Sequence, residues 1–292
     1  MKHTHHSEYS KLESVYLKRA ADAFVSDQMI NRQWQRLNYL SRPKLDMAIA
    51  EYKNFEKTLT DSGAELQYFP PDEKLTMDSM YCRDASIATD FGMILCNMGK
   101  VDRIHEPRSQ KAVYESQGIA ILGEITSPGT LEGGDVAWLD EKTLAVGHTY
   151  RTNEEGIKQL KALLEPKGIS VMVVELPHYK GRDDVFHLMS ILSPVDKDIA
   201  LVYSPLMPIK FRNELLKRGF GLVEVPEEEF ESMGCNVLAV APRKCLMVAG
   251  NPKTRKALVD AGCEVTEYQG DHISVMGGGG PTCLTRPLLR CL

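Results

Sequence analysis

The sequence predicts an α/β protein with an internal fivefold repeat. Two observations support this prediction: one amphipathic helix–glycine–strand unit occurs five times, and the copies follow one another at a nearly constant spacing. The five glycines lie 43 to 55 residues apart along the 292-residue chain. Regular self-similarity of this length is typical of repeat architectures. An open α/β sheet also alternates strands with helices, so it stays the alternative at this point.

Each unit is marked by a glycine at the end of its helix, where a helix C-cap needs left-handed backbone. The helices are predicted over residues 44–60, 109–117, 154–165, 209–218 and 254–261. The glycines are Gly63, Gly118, Gly168, Gly219 and Gly262. The apolar strands follow at 64–69, 119–122, 169–174, 222–225 and 263–265. Further β-rich runs lie between the units, at 92–96, 143–146, 199–203 and 245–249.

The N-terminal part of the chain precedes the first repeat. Residues 1–40 are predicted to form an N-terminal helical extension of one or two polar-faced helices, with Trp34 packing onto the body of the protein. No low-complexity linker divides the remainder. Residues 41–292 are therefore predicted to form a single α/β domain.

Composition and charge exclude several classes of function. Hydrophobic residues make up 43% and charged residues 26%, as in ordinary soluble proteins, and the net charge of −5 offers no attraction for nucleic acid or an anionic membrane. No apolar run approaches the roughly 20 residues that span a bilayer. The seven cysteines form no C-x-x-C pair, which argues against a structural zinc site or a disulfide framework. These features predict a cytoplasmic protein with reduced thiols.

The C-terminal region contains the most distinctive local sequence of the chain. Glycines occupy positions 277–280 and are followed by Pro281, Thr282 and Cys283. Backbone without side chains suits a thiol that must face a small buried ligand. The alternative is a glycine-rich loop that carries an ordinary buried cysteine.

Further polar groups interrupt the apolar pattern at strand ends or in loops, where scaffolds usually place functional residues. Asp78 and Asp84 flank a short run that is either a solvated turn or a cation-binding site. Paired glycines separate Glu132 from Asp135, which suggests close backbone approach or a simple turn. His187 lies in an apolar segment, where a hydrogen-bonded core histidine is the alternative.

A cysteine, a histidine and a glutamate form the set that nucleophilic catalysis needs, because the thiolate attacks, the imidazole moves protons and the carboxylate orients the imidazole. Cys283, His187 and Glu132 supply these groups. Arg103 and Arg151 lie in loops and could each clamp a ligand carboxylate or be surface charges.

Five motifs in order resemble those of the guanidine-modifying superfamily, which comprises dimethylarginine dimethylaminohydrolases, arginine deiminases and glycine amidinotransferases. The motifs are Asp-Ser-x-Tyr-x-Arg-Asp at 78–84, Glu-Gly-Gly-Asp at 132–135, Arg-Thr-Asn at 151–153, His-Leu-x-Ser at 187–190 and Thr-Cys-Leu at 282–284. The resemblance extends from about residue 44 to residue 290. It implies the pentein fold, a five-bladed pseudosymmetric α/β propeller with its site at the centre.

The resemblance also implies roles for individual residues. Cys283 would be the nucleophile, and His187 would be the general acid and then the general base. Glu132 would hold His187 and contact the guanidinium group, while Asp84 would bind the guanidinium nitrogens. The implied chemistry needs no metal and no cofactor.

The resemblance further implies which residues bind the amino-acid end of the substrate. Asp78, Arg103 and Arg151 match positions that grip the amino-acid end of the substrate in dimethylarginine hydrolases. Asp135, from the Glu-Gly-Gly-Asp motif, is a further substrate-binding candidate. The expected partner is thus a small guanidino compound, with no nucleic acid and no membrane, while a homo-oligomer stays open.

Two positions depart from the relatives. Arginine deiminases carry His-x-Asp, whereas Met189 occupies that Asp position here, which favours a substituted guanidine. The dimethylarginine hydrolases carry Glu-Asp, whereas this chain has Arg83-Asp84, the pattern of deiminases and amidinotransferases. The expected activity is hydrolysis of arginine or an N-substituted arginine to a ureido product. Amidino transfer to an amine, or a non-catalytic pentein that binds a macromolecule, are the alternatives.

Overall fold

The computed structural model describes residues 4–291, which form five small three-stranded sheets. The strands are β1 Lys11–Leu17, β2 Glu65–Tyr68, β3 Ser86–Thr89, β4 Gly92–Leu95, β5 Ile121–Glu124, β6 Val136–Asp140, β7 Thr143–His148, β8 Ser170–Glu175, β9 Leu192–Asp196, β10 Ile199–Val202, β11 Gly221–Glu224, β12 Leu238–Ala241, β13 Lys244–Val248, β14 Glu264–Tyr268 and β15 Thr285–Cys291. The helices are α1 Ala20–Phe24, α2 Asp27–Gln33, α3 Leu45–Asp61, α4 Glu106–Ser116, α5 Glu154–Leu164, α6 Ile209–Lys217, α7 Glu227–Phe230 and α8 Pro252–Asp260.

All five sheets share one topology. In the second sheet, the central strand β4 pairs antiparallel with β3 and parallel with β5, and α4 connects the two parallel strands. The sheets β6-β7-β8, β9-β10-β11, β12-β13-β14 and β15-β1-β2 repeat this arrangement. A parallel pair needs a crossover, and the predicted helices supply it in every unit.

The five sheets close into a ring, which confirms the predicted five-bladed α/β propeller and excludes an open sheet. Neighbouring units contact each other through β15 and β3, β6 and β9, β9 and β12, and β12 and β1. The second and third units meet through the turns Cys82–Ala85 and Gly133–Asp135. The chain closes the ring by pairing its last strand β15 with its first strand β1.

The glycines that end the five crossover helices adopt the predicted left-handed backbone. Gly63, Gly118, Gly168, Gly219 and Gly262 have φ values from 68° to 91°. The helices bury apolar side chains against the sheets. Examples that are fully buried are Phe55, Leu160, Leu215 and Leu258. No helix within residues 4–291 has the length and apolar character that a membrane span requires.

The prediction of a helical extension over residues 1–40 is only partly correct. Residues 1–3 lie outside the described part of the chain, and α1 and α2 are helical, but β1 is the central strand of the first sheet. Val15, Tyr16 and Leu17 are buried there. Local sequence missed this strand because its partners, β15 and β2, lie far along the chain. Trp34 packs against the apolar core as expected.

Candidate active site

The candidate site is formed by the turns that precede the first strand of each sheet. Asp84 precedes β3, Glu132 precedes β6, His187 precedes β9, Asn236 precedes β12 and Cys283 precedes β15. The repeated topology therefore delivers one polar side chain from each of the five units to the centre of the ring. Sequence analysis identified four of these five residues and missed Asn236.

A cavity of about 150 Å³ opens at this centre. Cys283, His187, Asp84, Asp78 and Arg103 all line it. The cavity thus brings together, from three of the sheets, most of the residues predicted from separate motifs. A cavity lined by a few convergent polar groups is the usual form of a small-molecule site.

The Cys283 thiol is partly buried and has polar neighbours. Asn236 donates a hydrogen bond from Nδ2 to Cys283 Sγ at 3.3 Å, and Thr282 Oγ1 lies 3.9 Å from the same sulfur. Burial raises the pKa of Cys283, and the nearby charge of Asp84 raises it further, while the hydrogen bonds from Thr282 and Asn236 oppose the rise. The thiol form therefore predominates at neutral pH unless a cation enters the cavity.

The glycines at 277–280 allow the cysteine loop to approach its neighbours closely. A Cβ on Gly279 would lie 2.5 Å from Tyr81 Cε1, and a Cβ on Gly280 would lie 2.5 Å from Asn236 Oδ1. Gly278 has φ of 71°, which other residues rarely adopt. The bare backbone is therefore required by contacts that hold Cys283 in place.

The imidazole of His187 is held between carboxylates. Its Nε2 donates to Glu132 Oε2 at 2.8 Å, and its Nδ1 lies 4.0 Å from Asp84 Oδ1. A Cβ on Gly134 would overlap the imidazole ring and come within 2.8 Å of Asp84 Oδ1. The second glycine of the Glu-Gly-Gly-Asp motif therefore makes room for His187, which confirms the predicted close approach. Ser190 Oγ accepts from His187 N at 3.1 Å and fixes the start of this turn.

This environment sets the protonation of the pair. Burial alone would lower the pKa of His187, but the carboxylates of Asp135, Glu132 and Asp84 outweigh it and raise the pKa to about 9. Burial acts in the opposite sense on Glu132, yet the hydrogen bond from His187 and the charge of Arg151 hold its pKa well below the ordinary value. At neutral pH the pair is therefore an imidazolium donating to a carboxylate.

This ion pair predicts a pH dependence of stability. The pKa of His187 is about 9 in the folded protein and about 6.5 when unfolded, so its contribution is complete below about pH 6.5 and is lost as pH rises through 9. We expect the Tm to fall more steeply between pH 7 and pH 10 in the wild type than in His187→Gln. His148→Gln, at a surface histidine paired with Glu175, is the matched control and should keep the wild-type slope. Parallel slopes in all three proteins would contradict the assignment.

The guanidinium group of Arg103 is engaged by protein groups. It donates to Asp84 Oδ2 at 2.5 Å, to both carboxylate oxygens of Glu106 at 2.8 Å, and to Tyr81 O at 2.8 Å. Arg103 thus fixes one oxygen of Asp84. The other oxygen, Asp84 Oδ1, is buried without a hydrogen-bond partner among residues 4–291. In this structure Arg103 positions Asp84 and lines the cavity, and its contact with the amino-acid end of a substrate stays a prediction.

Arg151 and Asp78 are also paired within the protein. Arg151 Nη1 lies 3.4 Å from Glu132 Oε1, and Arg151 does not line the cavity. Asp78 lies on the cavity wall, where it accepts from Lys100 Nζ at 2.7 Å. Lys100 also donates from its backbone N to Glu132 Oε1 at 2.9 Å, so it joins the two carboxylates. The predicted contacts of Asp78 and Arg151 with the amino-acid end of a substrate stay predictions, and Lys100 is a further charged residue on the cavity wall that no motif indicated.

Asp135 does not occupy the predicted substrate-binding position. It is fully buried and lies off the cavity wall. Its carboxylate accepts from Thr149 Oγ1 at 2.7 Å, Thr152 Oγ1 at 2.6 Å and Leu188 N at 3.1 Å. These bonds leave little capacity for a ligand, and burial raises the pKa of Asp135 to about 6. Asp135 instead anchors the turn that presents His187, which corrects its predicted role.

Three groups at this site have the right types and spacing for a metal ion. One ligand atom each from Asp84, Glu132 and His187 lies within 4.8 Å of the others. However, the pKa of His187 keeps its imidazole protonated at neutral pH, and Arg103 and Arg151 lie beside the two carboxylates. A protonated imidazole cannot ligate a metal ion, and the neighbouring guanidinium groups already pair with the carboxylates, so this group is better suited to hydrogen bonding with an organic ligand.

Comparison with known proteins shows which family this chain belongs to. The model of the family described as N,N dimethylarginine dimethylhydrolase, eukaryotic, matches residues 20–290. The N(G),N(G)-dimethylarginine dimethylaminohydrolase of Pseudomonas aeruginosa is 27% identical over 242 residues, which cover 83% of this chain and 89% of that protein.

Solved structures share the fold over nearly the whole chain. The dimethylarginine dimethylaminohydrolase of Pseudomonas aeruginosa in complex with citrulline superposes with a TM-score of 0.76 at 23% identity, covering 94% of this chain and 98% of that one. An amidinotransferase of the saxitoxin biosynthetic pathway from Microseira wollei has a TM-score of 0.81 at 16% identity, with 99% and 98% covered. At these identities the structures establish the pentein fold.

Proposed function

The chain belongs to the dimethylarginine dimethylaminohydrolase family, whose members are pentein hydrolases that cleave C–N bonds of linear amidines, and we propose a specific reaction on that basis. The protein hydrolyses the guanidino group of arginine or an N-substituted arginine through a covalent adduct on Cys283. The observation that carries this proposal is the shared cavity. Three groups face one small cavity. They are the thiol of Cys283, the imidazolium of His187, which a buried carboxylate holds, and the carboxylate oxygen of Asp84 that has no partner among residues 4–291.

Binding of the guanidinium group would come first. Asp84 Oδ1 is buried and unpartnered within residues 4–291, while Arg103 holds the other oxygen in place. A guanidinium N–H that donates to this oxygen relieves the cost of an unpaired buried acceptor. The fixed carboxylate would orient the group and keep it protonated.

Attack by the thiolate would follow. The pKa of Cys283 is raised by burial and by Asp84, so the free protein holds mostly the thiol. A bound guanidinium cation offsets both effects and lowers the pKa of the thiol. The substrate would thus help to generate its own nucleophile. The thiol proton passes to solvent, and Cys283 Sγ forms a bond to the guanidinium carbon as the electrons of the C–N π bond move to nitrogen. Asn236 supports the sulfur from 3.3 Å.

His187 would supply and recover the proton. The imidazolium donates its proton to the departing nitrogen as the C–N bond breaks, which leaves a thiouronium adduct and an amine or ammonia. The neutral imidazole then accepts a proton from water as the oxygen bonds to carbon. Breaking of the C–S bond releases the ureido product and restores the thiolate. Glu132, fully buried behind the ring, stabilises the charged imidazole in both halves.

A substrate panel tests the proposal. The protein would be incubated with arginine, methylated arginines, agmatine and guanidinoacetate, with and without glycine as acceptor, and assayed for ureido product, amines and ornithine. We expect a ureido product without added acceptor. A product that requires glycine would instead favour amidino transfer, an activity known for one protein of the same fold. Absence of turnover with every compound would contradict an enzymatic role.

Met189 is proposed to select for substituted guanidines. It is 3% exposed, lies on the cavity wall and replaces the second carboxylate of arginine deiminases. In Met189→Asp we expect the ratio of kcat/KM for arginine to kcat/KM for an N-methylated arginine to rise about tenfold or more, since a carboxylate gains an N–H partner and loses an apolar one. Met189→Leu, which keeps the apolar surface, should leave the ratio unchanged. An unchanged ratio in both variants would remove Met189 from the specificity-determining residues.

A further inference from the structure

A second group of buried charges lies beside the candidate active site, and one of its members, Arg83, also lines the cavity. It consists of Glu8, Arg83, Arg286 and Arg290, none of which is more than 6% exposed. Arg83 and Arg290 are among the largest fully buried side chains of the protein. Arg83 also donates from its backbone N to Cys283 O at 3.2 Å, so the group lies directly against the cysteine loop. We call these four residues the axial cluster.

The axial cluster contains one carboxylate for three guanidinium groups. Glu8 accepts two hydrogen bonds from Arg83 Nη2, at 2.9 and 2.8 Å. Arg286 Nη1 donates to two carbonyl oxygens, Ser86 O at 2.7 Å and Arg83 O at 3.4 Å. Arg290 Nη1 likewise donates to carbonyl oxygens, those of Ser10 and Ala239. Carbonyls satisfy hydrogen bonds but do not neutralise charge.

Neighbouring titratable groups do not supply the missing negative charge. Burial raises the pKa of Cys82 to about 12 and that of Tyr114 further, so both stay neutral. Asp84 follows Arg83 in the chain, but its carboxylate pairs with Arg103. The axial cluster therefore keeps an excess of two positive charges in a buried position, which is costly without an anion.

Several donors in the axial cluster also lack acceptors. Arg83 Nε and Nη1 and Arg290 Nε and Nη2 are buried and have no hydrogen-bond partner among residues 4–291. Burial lowers the pKa of Arg290 to about 10, and the charges of Arg83 and Arg286 act in the same direction against the opposing charge of Glu8. One ligand that accepts several hydrogen bonds and carries negative charge would satisfy both deficits, whereas water would satisfy only the first.

We propose that a small monovalent inorganic anion, of the size of chloride, binds in the axial cluster between the guanidinium groups of Arg83 and Arg290. The anion accepts hydrogen bonds from the unpartnered nitrogens of both side chains and offsets part of the excess charge. Arg290 lies on β15, the strand that closes the propeller, and also contacts Ala239 on β12. Anion binding therefore stabilises the folded ring.

Thermal unfolding in two potassium salts tests this site. At constant ionic strength, replacing gluconate by chloride should raise the Tm along a saturating curve, by about 3 °C or more, because a ligand that binds only the folded state stabilises it by mass action. Arg290→Met should lose the chloride effect. Glu8→Gln, which removes the competing negative charge, should shift half-saturation to a lower chloride concentration.

Equal Tm values in chloride and gluconate at every concentration would overturn the proposal, as would a chloride effect that persists in Arg290→Met. If Arg290→Met does not fold, crystals of the wild-type protein in bromide give a separate measurement. An anomalous peak between Arg83 and Arg290 supports the site, and a featureless map there overturns it.

Discussion

Replacement of Cys283 by serine is expected to lower kcat by about 10³-fold or more, because the hydroxyl is a far weaker nucleophile than a thiolate at neutral pH. The Tm should change by only a few degrees. Serine fits the space of cysteine, and Asn236 Nδ2 can donate to its oxygen as it does to Sγ. The measurement is ureido-product formation together with thermal unfolding of the same samples.

Labelling provides the control for this prediction. Iodoacetamide should modify Cys283 and the exposed Cys291, whereas the other five cysteines are buried: Cys82, Cys96, Cys235, Cys245 and Cys263. A Cys291→Ser background therefore isolates Cys283, and this variant should keep full activity. Labelling should accelerate when a guanidinium ligand too small to be turned over is added. Full activity in Cys283→Ser would exclude the proposed nucleophile.

Replacement of His187 by glutamine is the second large effect, a loss of about 10² to 10⁴-fold in kcat. Glutamine can still hydrogen-bond to Glu132, but it cannot donate a proton to the departing nitrogen. The loss should shrink markedly with S-methylthiocitrulline, because its thiolate leaving group needs no protonation. The measurement is kcat for an arginine-type substrate and for this isothiourea analogue, side by side.

His148→Gln is the matched control, since it removes an imidazole outside the cavity. It should leave kcat unchanged for both substrates. An equal loss with both substrates in His187→Gln would show that the residue orients the site and does not act as the general acid. That outcome would leave Cys283 as the nucleophile and require another proton donor.

Much of the fold could be predicted from local patterns. Each crossover helix ends at a glycine, and a left-handed C-cap depends only on the residues of that turn, so all five caps were predictable. The strand β1 was not predictable in this way. It is buried between β15 and β2, and the free energy of its pairing comes from residues about 270 and 50 positions away.

The residues of the candidate site likewise fall into those that local sequence predicts and those that it does not. Cys283, His187, Glu132 and Asp84 stand in recognisable motifs, and the structure brings all four to the centre of the propeller. Asn236 lies outside all five motifs. Its position before β12, the counterpart of the other four, could have revealed it once the repeat was aligned.

The pairings among charged residues depend on the tertiary structure alone. The sequence established the residue types, the repeat and the expected chemistry, because motifs and caps are local properties. Whether Arg103 reaches a ligand or Asp84, and whether Asp135 faces the cavity or Leu188 N, depends on which turns of different sheets meet. Burial then decides the rest: the pKa of His187 rises to about 9 only because three carboxylates from two other units surround it. The same closure of the ring buries Arg83 and Arg290 beside Glu8, a consequence that no single segment of the chain encodes.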